Sequence, residues 1–348
     1  MTPVDSFQSL LAKVQAGTGL AEAESEAVLG ALMRGEVSET QMADLLTAWR
    51  DKGVTVDELT GAARAMRSLS VKITVSVGSL LDTCGTGGDG LDTFNISTVA
   101  ALIVAGAGVP VAKHGNRGST SRCGSADLLE ELEVRIDADP AIVKRCIEEV
   151  GIGFLFAPKF HPAMKNVAPV RKRLGFRTIF NFLGPLTNPV NVTHQIIGVS
   201  DSEMVDVIAN ALSRLSCNKR FLIAHGVKEH MDEVSTVGPT RIVEFNEGGK
   251  VFSKEITPEG FGIQRAVLEK LQGRDRESCA RIALEILEGK HSAYRDATIL
   301  NAGFALYLTM PVTDFESAVK TAISRAEESV DSGRALKKLN ALRKLSNS

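Results

Sequence analysis

Residues 82–98 read DTCGTGGDGLDTFNIST, with four glycines and three aspartates set between two apolar runs. Glycine loses more backbone freedom on folding than any other residue, so packing alone is a weak reason for such a cluster. The run before it, 71–81, is β-branched and partly alternating, which predicts a connector and a strand. The run after it, 97–107, is apolar and alanine-rich and predicts a buried helix. A strand, a glycine-rich loop and a helix in succession let backbone N–H groups converge on an anion near the positive helix terminus. GTGGDG, 85–90, is followed by no Gly-Lys-Ser/Thr, so it is not a Walker loop. A tight strand-to-helix turn is the plain alternative. In NIST, 95–98, Asn95, Ser97 and Thr98 can cap the helix, or offer amide and hydroxyl groups to a phosphate or metal-bound water.

Further along, a short strand at 109–113 runs into KHGNRGSTS, 113–121. Lys113, His114 and Arg117 bring positive charge, Asn116 a two-sided amide, and Ser119, Thr120 and Ser121 a row of hydroxyls. Gly115 and Gly118 permit close approach of a ligand to the backbone. Loops at the carboxyl ends of neighbouring parallel strands share one crevice, so two phosphate-friendly loops suggest a polyphosphate ligand. Asp232-Glu233, in HGVKEHMDEVS, follows a strand at 220–224. Mg²⁺ takes one or two carboxylates and completes its shell with water and phosphate, though an acidic doublet is ordinarily solvated surface. Adjacent side chains diverge in extended backbone, so this pair can serve two metal sites. In FHPAMKNVAPVRKRLGFRT an arginine, Arg171 or Arg177, can pair with a carboxylate through its fork of donors. Lys172 and Arg173 read as a solvated face, and His161 as the anchor of a turn.

Residues 5–68 carry apolar positions at helical spacing, and Ser38 with Gln41 forms a capping-box pattern. Beyond the glycine cluster, strand and helix signals alternate (strand 195–199, helix 204–215, strand 220–224), ahead of a hairpin pattern over 240–256 and a helical tail. The expected fold is therefore α/β: a mixed, mostly parallel sheet flanked by helices, plus a small all-helical domain. The expected boundaries are 1–70 for the helical domain and 71–167 with 191–348 for the larger one. The Gly-Pro and Asn-Pro punctuation of 168–190 suits an excursion back into the helical domain.

Bulk composition narrows the function. The chain has 348 residues, 44% hydrophobic and 24% charged, with a formal net charge of −2 that argues against a nucleic-acid-binding face. Five scattered cysteines without CxxC spacing fit a reducing compartment, and neither a secretory signal nor a membrane-spanning run is evident. A cytoplasmic protein with no membrane or nucleic-acid partner is the expectation. No Ser-His-Asp set, reactive cysteine or HExxH helix emerges. What is left is a transfer driven by electrostatics on a phosphorylated leaving group.

GTGGDGLDTFNIST, VAKHGNRGSTS, GSADLLE, FHPAMKNVAPVRKRLG and RTIFNFLGPLTNP stand in an order that resembles the anthranilate phosphoribosyltransferases of tryptophan biosynthesis. The resemblance implies a glycosyltransferase that joins anthranilate to 5-phosphoribosyl 1-pyrophosphate (PRPP), with Mg²⁺ and no covalent intermediate. It implies a homodimer through the helical domain. It places PRPP on Gly85, Gly88, Asp89, Thr93, Asn95, Ile96, Ser97, Thr98 and Lys113, beneath the loop His114, Gly115, Asn116, Arg117, Gly118, Ser119, Thr120 and Ser121, with Ser125 beside it. Ser97, Asp232 and Glu233 match metal positions, while Gly85, Asn116, Arg171, His114 and His161 match the anthranilate side. Lys113, Asp232 and Glu233 would stabilise the leaving group. The segment VKEHM before Asp232, the pair Met164-Lys165 and Cys123 depart from the family's usual residues. A pyrimidine nucleoside phosphorylase on the same scaffold, or a non-catalytic paralogue binding nucleic acid or a regulatory partner, is the rival reading.

Overall fold

The first four residues of the quoted stretch are strand rather than loop. In the computed structural model, which describes residues 3–118, 121–215, 219–311 and 314–348 and side chains from Phe7 onward, β1 spans Leu81–Gly85. The helix α5 then opens at Ile96 and runs to Gly106, so the loop proper is 86–95. The second strand, β2, is Val111–Gly115; it holds Lys113, as the strand expected at 109–113 did, and also takes in His114 and Gly115, which were expected in the loop. Lys113 and His114 are consequently buried. The remaining strands are β3 (Ile152–Phe156), β4 (His194–Gly198), β5 (Arg220–Gly226), β6 (Thr240–Asn246) and β7 (Gly249–Ile256).

They form one sheet in the order β3-β2-β1-β4-β5-β6-β7. The first five are parallel, and β6 and β7 add an antiparallel hairpin at one edge. The mixed, mostly parallel sheet expected from the sequence is therefore observed. From β1 the chain winds outward to β2 and β3 on one side, and later to β4 and β5 on the other. At that reversal the connections leave neighbouring strands toward opposite faces, which opens a crevice beyond the carboxyl ends of β1 and β4. One face of the sheet is covered by α5 and by the helices Ala293–Tyr307, Phe315–Asp331 and Arg334–Ser346, whose aliphatic side chains share the main core.

The chain divides into two units, each described by itself. The larger comprises Ile73–Ala157, Val190–Val205 and Cys217–Ser348 and contains the whole sheet. The other, Met1–Lys72, Pro158–Pro189 and Asp206–Ser216, is helical. Its first four helices are α1 (Pro3–Gln15), α2 (Glu22–Arg34), α3 (Glu39–Lys52) and α4 (Val56–Ser68). The expected capping box forms at α3, with Gln41 N donating to Ser38 Oγ at 3.2 Å and Ser38 N to Gln41 Oε1 at 2.9 Å. Residues 206–216, which the sequence reading left in the larger domain, group with these helices because Arg214 reaches Asp57 at 2.5 Å and its carbonyl accepts from Arg64 at 3.2 Å.

Glu58 is fully buried in this unit, accepting from Leu20 N (3.0 Å), Trp49 Nε1 (2.9 Å), Lys52 Nζ (2.8 Å) and Thr55 N (2.8 Å). Burial pushes its carboxyl up, but Lys52 and the N–H donors outweigh it and hold it below the usual range. No helix among the described residues is long and apolar enough to cross a membrane.

Candidate active site

Four loops meet at the carboxyl end of the sheet in the larger unit, and Asp232 ties three of them together. Its carboxylate Oδ2 accepts from Gly87 N at 2.7 Å, so the loop after β5 grips the loop after β1. The fit depends on glycine at two strand ends. A Cβ on Gly85 would stand 2.3 Å from Asp232 Oδ2, and one on Gly198 would stand 1.5 Å from the Asp232 carbonyl oxygen. Ser200, beyond β4, adds a bond from its Oγ to Gly87 O at 2.9 Å. The loop itself turns through positive φ at Gly87, Gly88 and Gly90, conformations that side chains with a Cβ rarely adopt.

Glu233 points the other way. Its Oε1 accepts from Ser97 N at 3.1 Å, in the first turn of α5. The adjacent carboxylates thus diverge onto two different elements. Asn95 stands at the N-cap of α5 but its side chain makes no capping bond. Its Nδ2 instead donates to Cys123 O at 2.6 Å, and a carboxylate from a distant loop takes the open N–H. Thr98 Oγ1 reaches Asn95 Oδ1 at 3.5 Å, Thr93 bridges to Gln272, and the Ile96 side chain is buried in the core.

Lys113 Nζ donates to Thr83 O and, at 3.2 Å, to Ser97 Oγ. It is the cation set against a group of carboxylates. Burial, and secondly the Asp232 charge, pushes Glu233 up to about 8; the same two causes push Asp89 up to about 7. Asp89 Oδ1 accepts from Leu91 N at 3.1 Å, while Oδ2 is buried with no hydrogen-bond partner. Asp232, Glu233 and Asp89 offer carboxylate oxygens, the donor type that a hard divalent cation such as Mg²⁺ takes one or two of beside phosphate and water. Among the described residues no group of three His, Cys, Asp or Glu is placed to hold a metal ion.

The described part of the loop after β2 is latched to helix α6, Ser125–Glu131. Gly118 N and Gly124 N both donate to Asp127 Oδ2 at 2.9 Å. Asn116 N donates to Ser125 Oγ at 3.1 Å, and that hydroxyl returns a bond to Asn116 O at 3.1 Å. Arg117 reaches Asp127 (3.0 Å) and Glu130 (2.7 Å), so its charge is already balanced by α6. Ser121 Oγ turns toward Cys123 O at 3.5 Å, while Ser119 and Thr120 lie outside the described residues. His114 packs inside the sheet, its N–H on Asp82 Oδ1 at 3.2 Å.

Arg171 and His161 belong to the helical unit. Arg171, on the helix Ala168–Leu174, has only Asn181 Oδ1 as a side-chain hydrogen-bond partner among the described residues (3.3 Å) and stands over the Phe180 ring at 5.3 Å. Burial alone pushes its guanidinium down, as expected of a desolvated cation without a carboxylate beside it. His161 is buried at the start of a short turn, Pro162–Asn166.

Family models for the glycosyl transferase family match both parts of the chain, the helical bundle domain over 8–70 and the a/b domain over 77–336. Anthranilate phosphoribosyltransferases from Desulfatibacillum aliphaticivorans and Moorella thermoacetica are each 46% identical over 336 residues, covering 97% of this chain and 97% of theirs. The chain belongs to the anthranilate phosphoribosyltransferase family. The crystal structure of the Thermus thermophilus enzyme is 42% identical and superposes with a TM-score of 0.89 over 97% of this chain and 99% of that one. The Saccharomyces cerevisiae anthranilate phosphoribosyltransferase in complex with PRPP and Mg is 28% identical, with a TM-score of 0.90 over 99% of this chain and 98% of that one.

Several residues that order these loops escaped the sequence reading: Gly198, Ser200 and Asp127. A glycine closing the apolar run HQIIG, followed by VSD, was the available signal for the β4 loop. Asp127 stands within GSADLLE as the N3 acid of a capping pattern.

Proposed function

We propose that this chain transfers the 5-phosphoribosyl group of PRPP to the amine of anthranilate, releasing pyrophosphate and a proton, in tryptophan biosynthesis. The observation that carries the proposal is the meeting of the GTGGDG loop, Lys113 and Asp232-Glu233 at the switch point of the sheet, in a chain of this family. The C1–N bond forms as the C1–pyrophosphate oxygen bond breaks, and positive charge grows on the ribose. An aromatic amine is neutral near pH 7 and needs no strong base before attack. The demand on the protein is to hold the leaving group and aim the nucleophile.

Asp232, Glu233 and Ser97 are the residues proposed to hold Mg²⁺. When bound, that ion neutralises charge on the departing pyrophosphate. Lys113 offers an ammonium already fixed by Thr83 and Ser97, so little reorganisation is needed as the leaving oxygen gains charge. The open backbone of 86–90 and the 113–121 loop are proposed to bind PRPP. For Arg117 the Asp127 and Glu130 pairs favour ordering of the loop over direct phosphate binding. Arg171 is proposed to take the anthranilate carboxylate. The cost of its desolvation with a single neutral partner supports that role. His161 and Asn116 are proposed to line the anthranilate path.

Following anthranilate fluorescence in the presence of PRPP and Mg²⁺ tests the reading directly. The expected result is conversion that requires all three components, and its absence with folded protein overturns the proposal. A homodimer through the helical unit and a cytoplasmic location belong to the same proposal. Light scattering should give twice the 37.2 kDa chain mass.

A further inference from the structure

Buried within the helix Ala293–Tyr307, among apolar neighbours, is an asparagine that the reading above does not use. Asn301 Oδ1 accepts from Val234 N at 2.9 Å, and its Nδ2 donates to Val234 O at 2.9 Å and to Ala297 O at 2.9 Å. Its amide thus pairs with both backbone groups of one residue, as a rung of a β-ladder would. Val234 follows Glu233 directly, and it is itself buried. Residues 227–235 form neither helix nor strand, so no ladder of their own holds them. Tertiary contacts must therefore fix the acidic pair. Asp232 is held by Gly87 N and Glu233 by Ser97 N, both through their carboxylates. Asn301 grips the backbone directly after the pair, at Val234, and Thr240 Oγ1 accepts from Ser235 N, one residue further on, at 2.9 Å.

We infer that Asn301 is a positioning residue for Asp232-Glu233: it sets the direction of the peptide after Glu233 and so the aim of the metal-binding carboxylates. A polar side chain in an apolar helix is costly unless its groups are paired, and here each side-chain polar atom has a backbone partner. The pairing has a consequence for metal affinity. Groups that orient ligands from behind typically change affinity about 10- to 100-fold when removed. This inference rests on the proposed Mg²⁺ role of Asp232 and Glu233.

The test uses the full chain with Asn301→Leu, which is near in size and makes neither bond. Titration calorimetry with Mg²⁺ in the presence of inorganic pyrophosphate reads affinity without turnover, and the Mg²⁺ dependence of the rate reads it again. Weakening of about tenfold or more is expected in both, with the KM for anthranilate unchanged. Thr298→Val is the control. Thr298 is buried on the same helix and its hydroxyl donates to Tyr294 O (2.8 Å), so this change should alter stability without altering Mg²⁺ affinity. Should Asn301→Leu fail to fold, Asn301→Ser carries the same expectation, since a hydroxyl cannot span both groups of Val234. Unchanged Mg²⁺ affinity in the folded variant, or equal weakening in Thr298→Val, overturns the inference. If the unmutated chain binds no Mg²⁺ with pyrophosphate, the underlying metal assignment fails first, and that result is distinct from the other two.

Discussion

At the scale of single residues, the site is made by what is missing as much as by what is present. Gly198 has no chemistry to offer, yet a methyl group there would occupy the place of the Asp232 carbonyl oxygen. The backbone of Asp232 cannot yield without dragging its carboxylate off Gly87 N. Gly198→Ala is therefore expected to leave the sheet folded while lowering kcat/KM about 100-fold, the usual effect of displacing a catalytic group by about 1 Å. Steady-state rates beside a melting curve check it; full activity would show that the loop after β5 has another seat. The charged pair itself gives a second expectation. Asp232→Asn and Glu233→Gln each remove one anionic ligand, so both should raise the Mg²⁺ concentration for half-maximal rate. Retention of full turnover at limiting Mg²⁺ would remove them from the metal site.

At the scale of elements, local signals and tertiary ones separate cleanly. The α3 cap was legible because Ser38 and Gln41 lie within one turn and satisfy each other's backbone groups. The α5 cap was not. Asn95 has the right identity at the right place, but Cys123 O claims its amide and Glu233, far along the chain, caps the helix. Propensity assigns a cap to the nearest suitable side chain, and only the fold reveals a competitor. In the same way the residues after Lys113 read as loop because they are polar, whereas parallel pairing of β2 with β3 carries His114 and Gly115 into the sheet. Lys113 and His114 became interior residues as a result. The helical unit allows a cleaner energetic test. Among the described residues Lys52 is the only cation on the fully buried Glu58 carboxylate, and it is itself nearly buried. Lys52→Met should cost about 3 kcal/mol, because the carboxylate stays behind without its counter-charge. Urea unfolding measures this, and a loss below about 1 kcal/mol would place the pair among weak surface bridges.

At the scale of the whole molecule, the sequence carried the fold class because alternation of strands and helices is a repeated local pattern. It could not carry strand order, and strand order is what brings residues 85–89, 113, 198 and 232–233 to one edge. The phosphate-friendly loops were found by composition, while their meeting point depends on the reversal between β1 and β4. That same sheet stores a pH dependence away from the site. His194, at the start of β4, is buried beside Arg220 and Lys219, and burial followed by those two charges pushes its imidazole down to about 4. Its Nδ1 lies 2.9 Å from Thr193 Oγ1. In the unfolded chain the ring titrates near 6.5, so between pH 6.5 and about 4 the unfolded state binds more protons than the folded one. Stability contributed by the neutral imidazole is present above pH 6.5 and is lost as pH falls toward 4. The full span is worth at most about 3 kcal/mol at about 1.4 kcal/mol per pKa unit. His194→Gln keeps a polar side chain that cannot charge, so its unfolding free energy should fall less between pH 7 and 4.5 than that of the unmutated chain. Urea titrations across that range decide the matter, and parallel curves for the two proteins would show that His194 does not couple folding to protons.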